Sequence, residues 1–486
     1  MPADLLSSPR WKSDHLGLPM PDDRDAVSAC LPLWDHNVAY EEGDPRVIDR
    51  LQAAYPRFCI HPDVRQLCHR LFSNGSGLPF ATAAAAGRAV SYVQHAGGKS
   101  AVSQPIPSQP CVAVAVDPDE FPLLKQYWQH AGELVSSRMA RLIMAEIPVT
   151  VTETDTRAVV RRRVADLHQV SDANVYLFSS GMGAIAAAWR TITRQNPGRP
   201  TCQFGFPYVD TLKIQERFPG AIHTFLPMGN AADEMRLMEL FPKRRFSAVF
   251  CETPTNPLLV TPNLTHLRSI TKQHDSLMIL DDTLRACSRK SVLPHCDAVV
   301  TSLTKYFSGY GNVLAGAIVL NPQCQRYEAF RTVLDDDFEE TLSDLDTEVL
   351  EQNSRDLETR TDQSVRNARV LVERLRQQPG VDQVFFPQSA DVSDSGCGAV
   401  FSIVLKNAES TTPGVFDRLQ VSKGPNLGTN FTLCCPYTML AHYAELDFAE
   451  HCGASRWLLR FSVGIEPVEE IWNRLAVALD SIEALP

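Results

Sequence analysis

Lys305 lies in a sequence context that points to chemistry. It belongs to the segment SLTKYFSG at 302–309, directly after an apolar run that includes Val299 and Val300. Such a run is typical of a buried strand, and ligand-binding residues gather beyond the carboxyl ends of strands in open α/β sheets. A lysine beside apolar residues loses part of its water shell, which lowers its pKa and suits an amine that forms a Schiff base. Taken alone, a lysine flanked by Ser and Thr is more often a surface residue.

A second apolar run, LMILDDT at 277–283, ends in two carboxylates. Asp281 stands 24 positions before Lys305. Pyridoxal phosphate (PLP) needs a carboxylate at its ring nitrogen, because the protonated ring is what accepts electrons from a carbanion. The alternative is that Asp281 or Asp282 caps the turn or helix that follows.

The run YLFSSGMGAIAAAW at 176–189 predicts a strand that leads through Ser180 into an Ala-rich helix. The N–H groups at a helix N-terminus face outward, so Gly181 and Met182 can bind the phosphate of a cofactor. A junction of strand, glycine and helix occurs in any α/β unit. Alone, this segment is therefore weak evidence for a phosphate site, and it counts only in combination with the other two segments.

Together the three segments resemble the Cys/Met-metabolism PLP enzymes, the family of cystathionine γ-synthase, the cystathionine lyases and methionine γ-lyase. The runs CETPTNPLL at 251–259 and RFSVGIE at 460–466 follow in the family's order, so the resemblance covers about residues 130–486. It implies PLP as the cofactor. It also implies the type I, aspartate-aminotransferase-like α/β fold, with a mostly parallel central sheet and a smaller C-terminal α+β domain.

The resemblance gives individual residues a role. Lys305 would bind the cofactor as a Schiff base and carry protons, and Tyr208 would stack on the ring and assist proton transfer. The alternative interpretation of Tyr208 is a core aromatic. Arg460 would hold the α-carboxylate of the substrate through two hydrogen bonds. The other cofactor contacts that the resemblance implies are Gly181, Met182, Asn256, Asp281, Ser302 and Thr304.

The N-terminal region resembles the long fungal-type cystathionine γ-synthases. Three runs carry this likeness: LPLWDHNVAYEEGDPRV at 31–47, YPRFCIHP at 55–62 and WQHAGELVSSR at 128–138. In the family a Tyr-x-Arg pair from the neighbouring subunit reaches the phosphate, so the resemblance implies a homodimer or homotetramer. Either Tyr55 with Arg57 or Arg138 could fill this role. The first pair has the better residues, and Arg138 has the better position, which favours it slightly.

The segment GPNLGTNFTL at 424–433 departs from the substrate loop of the family. Asn426 replaces a serine, and we expect it to contact substrate. Phe431 falls where many members carry glutamate. The loss of that carboxylate removes a possible contact with a substrate amine and leaves the second substrate in question.

The resemblance implies an enzyme of γ-replacement, in which an O-acetyl- or O-succinyl-L-homoserine reacts with L-cysteine to give cystathionine, and the roles of Lys305, Asp281 and Tyr208 are consistent with that chemistry. One alternative is the same substitution with a carbon or amine nucleophile in a secondary-metabolic pathway. Another is a γ-lyase with water as the final acceptor. A catalytically silent relative with a binding role is disfavoured because Lys305, Asp281 and Arg460 are all present.

The elements that must position these residues alternate along the chain. Apolar runs predict strands at 175–178, 248–250, 277–280, 298–300 and 315–319, which indicates a mostly parallel α/β sheet. Helices are predicted over 121–147 and 157–167, a further strand at 112–116, and loops within a possible insertion at 74–110.

We divide the chain into three parts. They are an N-terminal arm and extension over residues 1–130, a large PLP-binding domain over 131–345 and a small C-terminal domain over 346–486. The arm, over residues 1 to about 70, is rich in Pro, Asp and aromatic clusters, and we expect it to pack on another surface.

Composition limits the partners. The formal net charge of −11 is a poor match for nucleic-acid phosphates. No segment approaches the ~20 apolar residues that span a bilayer, and the N-terminus has no apolar signal region. Thirteen cysteines without a regular framework favour a reducing, cytoplasmic location. The Cys and His residues lack metal-ligand spacing, so no metal is expected.

Overall fold

A computed structural model gives the structure of residues 4–53, 55, 58–73, 76–287, 290–387 and 398–480, and their strands form three sheets. The first sheet contains β1 (Gly77–Phe80), β2 (Val102–Pro105) and β3 (Val112–Ala115). The central sheet contains β4 (Val175–Phe178), β5 (Thr201–Phe204), β6 (His223–Leu226), β7 (Ala248–Glu252), β8 (Leu277–Asp281), β9 (Ala298–Ser302) and β10 (Gly316–Leu320). The third sheet contains β11 (Val381–Phe385), β12 (Val400–Leu405), β13 (Ser422–Lys423), β14 (Leu433–Cys435) and β15 (Leu459–Ser462).

The central sheet has the strand order β4-β10-β9-β8-β7-β5-β6. Its neighbours are parallel except at β10, which runs antiparallel to β4 and to β9. Alternate residues of β8 enter different apolar clusters, Ile279 one and Leu280 the other, so both faces of the sheet are covered. The predicted mostly parallel sheet is confirmed. Strands β5 (TCQF) and β6 (HTFL) were not predicted, because polar residues interrupt their apolar pattern.

Helices surround the sheets. In chain order they are α1 (Trp34–Glu41), α2 (Pro45–Ile48), α3 (Pro62–Leu71), α4 (Ala83–His95), α5 (Phe121–Ala131), α6 (Ser137–Met144), α7 (Asp155–His168), α8 (Gly181–Gln195), α9 (Val209–Arg217), α10 (Ala231–Leu240), α11 (Leu264–Gln273), α12 (Tyr327–Asp337), α13 (Asp344–Asn353), α14 (Leu357–Leu375), α15 (Ala408–Arg418), α16 (Tyr437–His442), α17 (Leu446–His451) and α18 (Val468–Leu479). The single helix predicted over 121–147 is two helices. Gly132 ends α5 because its backbone takes the left-handed conformation, with φ of +65°.

The C-terminal sheet has the order β11-β12-β15-β14-β13 and is antiparallel except for the pair β13 and β14. Phe401 of β12 and Phe461 of β15 stack with their ring centres 4.9 Å apart. Residues of α14, α15 and α18 pack in the same apolar cluster as these rings. The predicted smaller α+β domain is confirmed in this part of the chain.

The N-terminal arm packs on its own chain. The Val27 N–H donates to the Gly311 carbonyl at 2.8 Å, and the Leu31 N–H donates to the Lys423 carbonyl at 3.0 Å. The Lys423 ammonium donates to the Pro32 carbonyl at 2.8 Å. The arm therefore joins the loop between β9 and β10 of the central sheet to the C-terminal sheet.

The segment at 74–110 is more regular than predicted. Strands β1 and β2 flank β3 in an antiparallel sheet, and α4 packs against it. The strand predicted at 112–116 is β3, and it belongs to this small sheet instead of the central one. Within the stretches that the structure describes, no helix is both long and apolar enough to cross a membrane.

Candidate active site

The carboxyl ends of the central strands meet at one cavity. Glu252 ends β7, Asp281 ends β8 and Ser302 ends β9, while Ser180 lies between β4 and α8. The cavity with its open mouth encloses about 990 Å³. Most of the predicted site residues line it: Tyr55, Gly181, Met182, Tyr208, Asn256, Asp281, Ser302, Thr304, Lys305 and Arg460.

Lys305 lies inside this cavity and is 9% exposed. Its Nζ donates a hydrogen bond to Asn426 Oδ1 at 2.7 Å. The same ammonium lies 4.3 Å from the centre of the Tyr55 ring, within the range of a cation–π contact. These contacts hold the lysine in the cavity, so it is not the surface residue that its flanking sequence alone would allow.

Asp281 also lines the cavity. Burial raises its pKa to about 6, and hydrogen bonds from Thr283 oppose that rise. Its Oδ1 accepts from the Thr283 N–H at 2.9 Å, so Asp281 also caps the turn after β8, as the alternative interpretation expected. A pKa of about 6 leaves the carboxyl group mostly ionised at neutral pH.

Glu252 is a second buried carboxyl group at this edge, paired in register with Asp281 on the neighbouring strand. Burial raises the pKa of Glu252 well above its usual range, and the charge of Asp281 adds to the rise. Glu252 Oε2 accepts from the Tyr208 N–H at 2.6 Å. Because two adjacent buried carboxylates repel each other, Glu252 takes the proton and Asp281 carries the charge.

The start of α8 forms a cradle for an anion. Ser180 Oγ accepts from the Gly183 N–H at 3.0 Å and donates to the Gly132 carbonyl at 2.7 Å, which fixes the first turn. A methyl group on Gly181 would lie 2.7 Å from Ser302 Cβ, so only glycine fits between the helix and β9. The outward N–H groups of the helix start and the neighbouring Ser302 hydroxyl suit a phosphate, and the cradle therefore fits PLP.

Thr304 stabilises the turn that carries Lys305. Its Oγ1 accepts from the Ala315 N–H at 3.0 Å and lies 3.3 Å from the Ala315 carbonyl, to which it donates. The hydroxyl of Thr304 is thus engaged with the backbone. Ser302 has its N–H bonded to Thr283 Oγ1 at 2.9 Å.

Arg460 projects from β15 into the cavity and is 3% exposed. Its Nη1 donates to Asn256 Oδ1 at 3.2 Å, and its Nη2 donates to the Asn426 carbonyl at 3.3 Å. The guanidinium lies 4.3 Å from the centre of the Tyr437 ring, whose hydroxyl accepts from Asn256 Nδ2 at 2.8 Å. These neighbours orient a buried positive charge that can bind a carboxylate.

Asn426 is buried and connects the two cations of the cavity. Its side-chain oxygen contacts Lys305 and its carbonyl contacts Arg460. Its Nδ2 is buried and finds no acceptor in the described part of the chain. A buried amide N–H without an acceptor costs free energy.

Phe431 does not line the cavity. It is 2% exposed and packs with Leu5, Met20, Cys30 and Leu433. Leu5, Met20 and Cys30 belong to the N-terminal arm. Phe431 therefore packs against the N-terminal arm and does not line the cavity.

The two candidates for the cross-subunit contact differ in placement. Arg138 does not line the cavity: its Nη1 donates to the Asn312 carbonyl at 2.9 Å and pairs with Asp346 at 3.2 Å. Tyr55 lies in the cavity of its own chain, and Arg57 lies outside the described residues. The contact with a neighbouring subunit stays a prediction.

Sequence reasoning missed several lining residues, among them Glu41, Glu252 and Tyr437. The sequence does contain a signal for Glu252, because the apolar run AVFCE ends in an acidic residue just as LMILD does. The sequence contains no such signal for Glu41 or Tyr437, since only the folded chain brings these residues to the strand ends. Among the residues that the structure describes, no cluster of three or more His, Cys, Asp or Glu side chains could hold a metal ion.

Comparisons with known proteins show which family the chain belongs to. Residues 150–480 match the sequence model of the Cys/Met metabolism PLP-dependent enzymes. The cystathionine gamma-synthase of Neurospora crassa is 29% identical, with 96% of this chain and 98% of that protein covered. The cystathionine gamma-synthase of Saccharomyces cerevisiae is 30% identical, with 95% and 98% covered.

A solved structure shows the same fold. The cystathionine gamma synthase of Xanthomonas oryzae pv. oryzae, in complex with cystathionine, aligns with a TM-score of 0.59 at 23% identity. The alignment covers 68% of this chain and 87% of that one. The family match and the phosphate cradle identify pyridoxal phosphate as the cofactor. The chain belongs to the Cys/Met metabolism PLP-dependent enzyme family.

Proposed function

We propose that this enzyme catalyses γ-replacement on an O-activated L-homoserine, with L-cysteine as the nucleophile and cystathionine as the product. The cysteine sulfur forms a bond to the γ-carbon, and the bond between that carbon and the acyloxy oxygen breaks. The thiol proton and the acyloxy group leave together as a carboxylic acid. O-acetyl- and O-succinyl-homoserine are the two substrates of this type that we expect.

The contact of Asn426 with both cations carries this proposal. Lys305 Nζ and Arg460 Nη2 bind the side-chain oxygen and the carbonyl oxygen of the same residue. The lysine that would form the Schiff base and the arginine that would bind a carboxylate therefore both contact one residue. This arrangement suits an α-amino acid whose amino group is at Lys305 and whose carboxylate is at Arg460.

The residues of the cavity have separate roles in the proposed reaction. When bound, PLP would supply an electron-accepting ring, and the Asp281 carboxylate would keep its ring nitrogen protonated. Lys305 Nζ removes the proton from the substrate α-carbon and moves it, while Tyr208 assists at the neighbouring carbon. Arg460 fixes the carboxylate so that the α-proton faces Lys305.

The residues of the cavity specify the nucleophile less than they specify the amino acid that reacts at Lys305. Position 431 is a phenylalanine and so offers no carboxylate to a substrate amine. Its side chain packs in an apolar cluster with residues of the N-terminal arm. This supports, as a second candidate, the same substitution with a carbon or amine nucleophile. Release with water as the acceptor is a third outcome of the same first steps.

One assay tests the proposal. PLP-loaded protein is mixed with O-acetyl- or O-succinyl-homoserine and a panel of thiols, amines and carbon nucleophiles, and the products are identified by mass spectrometry. We expect cystathionine from cysteine, and no product from Lys305→Ala. Wild-type protein that consumes neither ester contradicts the proposal. Ester consumption with a carbon or amine adduct, or with a 2-oxo acid, identifies the second or third candidate.

A further inference from the structure

Arg460 is a buried cation without an acidic partner. It is 3% exposed, and among the residues that the structure describes no carboxylate forms an ion pair with it. It donates to oxygens of Asn256 and Asn426, which carry no charge. Taking a charge out of water without a counter-ion costs free energy, so another group is needed to stabilise the guanidinium.

Glu252 does not supply this counter-ion. Burial raises the pKa of Glu252 well above its usual range, and the Arg460 charge only partly opposes that rise. Glu252 therefore carries a proton at neutral pH, and its Oε2 accepts from the Tyr208 N–H at 2.6 Å. A neutral acid leaves the positive charge of Arg460 uncompensated.

The ring of Tyr437 stabilises this charge instead. The guanidinium carbon of Arg460 lies over the ring, 4.3 Å from its centre. The face of an aromatic ring attracts a cation, and the attraction is strongest where both groups are removed from water, as they are here. Because the ring has no net charge, it stabilises the guanidinium without neutralising it. The full charge of Arg460 is kept for a ligand.

The hydroxyl of Tyr437 adds a second, indirect contact. It accepts from Asn256 Nδ2 at 2.8 Å, and Asn256 Oδ1 accepts from Arg460 Nη1 at 3.2 Å. Because a guanidinium only donates, the Asn256 amide has to turn its oxygen toward Arg460 and its nitrogen toward Tyr437. Tyr437 thus holds Arg460 both directly and through Asn256.

Two features of the fold keep Tyr437 in this position. It begins α16 shortly after Cys435, which ends β14 and pairs in register with Arg460 of β15. Its side chain also belongs to the apolar cluster that contains Leu31 and Val47 of the N-terminal arm. The C-terminal sheet and the arm therefore both fix the ring.

We propose that Tyr437 takes the place of a counter-ion for Arg460 and so makes the cavity selective for ligands with an α-carboxylate. It is a positioning residue, because it acts through Arg460 and Asn256. An acidic side chain at this position would bind the guanidinium itself and compete with the ligand. This role rests on the reaction proposed above, in which the substrate carboxylate binds at Arg460.

The test compares two amines that differ only in the carboxylate. L-norvaline and n-butylamine have the same alkyl chain and no γ-leaving group, so calorimetry with the PLP-loaded full-length protein measures their binding without γ-replacement. We expect the wild type to bind L-norvaline more tightly. In Tyr437→Leu the guanidinium loses the ring and turns to water or to Glu252, so binding first has to return it. This variant should bind L-norvaline about 30-fold more weakly and n-butylamine as the wild type does.

Tyr437→Phe separates the ring from the hydroxyl. It keeps the ring under Arg460 and loses only the hydrogen bond from Asn256, so it should bind L-norvaline about 3-fold more weakly. Kinetics with O-acetyl-L-homoserine should show the same order. Because the carboxylate is bound equally in the ground state and the transition state, both variants should raise KM and leave kcat nearly unchanged.

Tyr443→Leu is the matched control. Tyr443 follows α16 directly, and its hydroxyl donates to Glu42 at the outer surface at 2.7 Å. This variant should bind both amines as the wild type does. A PLP titration and the melting temperature check the cofactor loading and the folding of every variant.

The outcomes separate this role from the proposed reaction. Tyr437→Leu with wild-type affinity for L-norvaline excludes the role, and so does an equal loss of L-norvaline and n-butylamine, which indicates a structural effect only. If Tyr437→Leu does not fold, unchanged L-norvaline binding in Tyr437→Phe excludes the role. A wild type that prefers L-norvaline, loses this preference in Tyr437→Leu and consumes no homoserine ester contradicts the proposed reaction and supports the role of Tyr437.

Discussion

Gly181 offers a sharp test of the phosphate cradle. In Gly181→Ala the new methyl group would lie 2.7 Å from Ser302 Cβ, about 0.7 Å inside the 3.4 Å at which ordinary contact begins. The free protein can relieve this overlap by moving α8 away from β9, but a bound phosphate needs both sides of the cradle in place. Overpacking of this size costs about 1–3 kcal/mol, so we expect PLP to bind about 5- to 150-fold more weakly.

Gly183→Ala is the matched control for this prediction. It adds the same methyl group two residues later in the same helix, where the nearest atoms are 3.4–3.6 Å away, an ordinary contact. The assay is a titration of each cofactor-free variant with PLP, followed by absorbance, with the melting temperature of the free protein as a check on folding. Equal dissociation constants for the two variants would refute the assignment of the cradle.

Four further predictions concern the site, the pH dependence of stability and the assembly. Lys305→Ala should abolish turnover, because no other cavity group can both bind the cofactor covalently and move the proton; a variant with normal activity contradicts this. Asp281→Asn should retain PLP, measured by absorbance, but lose most of its turnover, since a neutral amide no longer keeps the ring nitrogen protonated. Burial lowers the pKa of Lys423 from 10.5 to about 8, so the unfolded chain holds this proton more tightly above pH 8. The free energy of unfolding of the wild type should therefore rise relative to Lys423→Met between pH 7.5 and 9.5, and urea titrations that give the same difference at both pH values exclude this. The active unit should be at least a dimer: an inactive Lys305→Ala chain mixed with an inactive Arg138→Ala or Arg57→Ala chain should regain partial activity, and an active monomer in sedimentation would contradict the shared site.

The local part of the site was predictable from sequence because it depends on strand ends. Lys305 and Asp281 each follow a continuous apolar run, and Gly181 follows another, so parallel strands had to bring them to one edge. The same reasoning gives no order for the central strands, and it misses β5 and β6, where Gln203 and His223 interrupt the apolar pattern.

The remote part of the site could not be predicted in this way. Glu41 lines the cavity from α1, whose first residue, Trp34, stacks on Trp457, a residue more than four hundred positions later in the chain. Tyr437 reaches it through a short helix that begins directly after β14, and its contact with Arg460 depends on the pairing of β14 with β15. No local pattern encodes contacts of this range.

The long reach of the arm has a consequence for synthesis on the ribosome. The Lys423 ammonium and the Pro32 carbonyl that it contacts are 391 positions apart. At about 5–20 residues per second, the ribosome makes the second partner roughly 20–80 s after the first. During that interval Leu31 and Trp34 lack the surfaces that later bury them. Leu31 and Trp34 therefore leave the ribosome long before their C-terminal contacts exist, and until then they are accessible to chaperones and proteases.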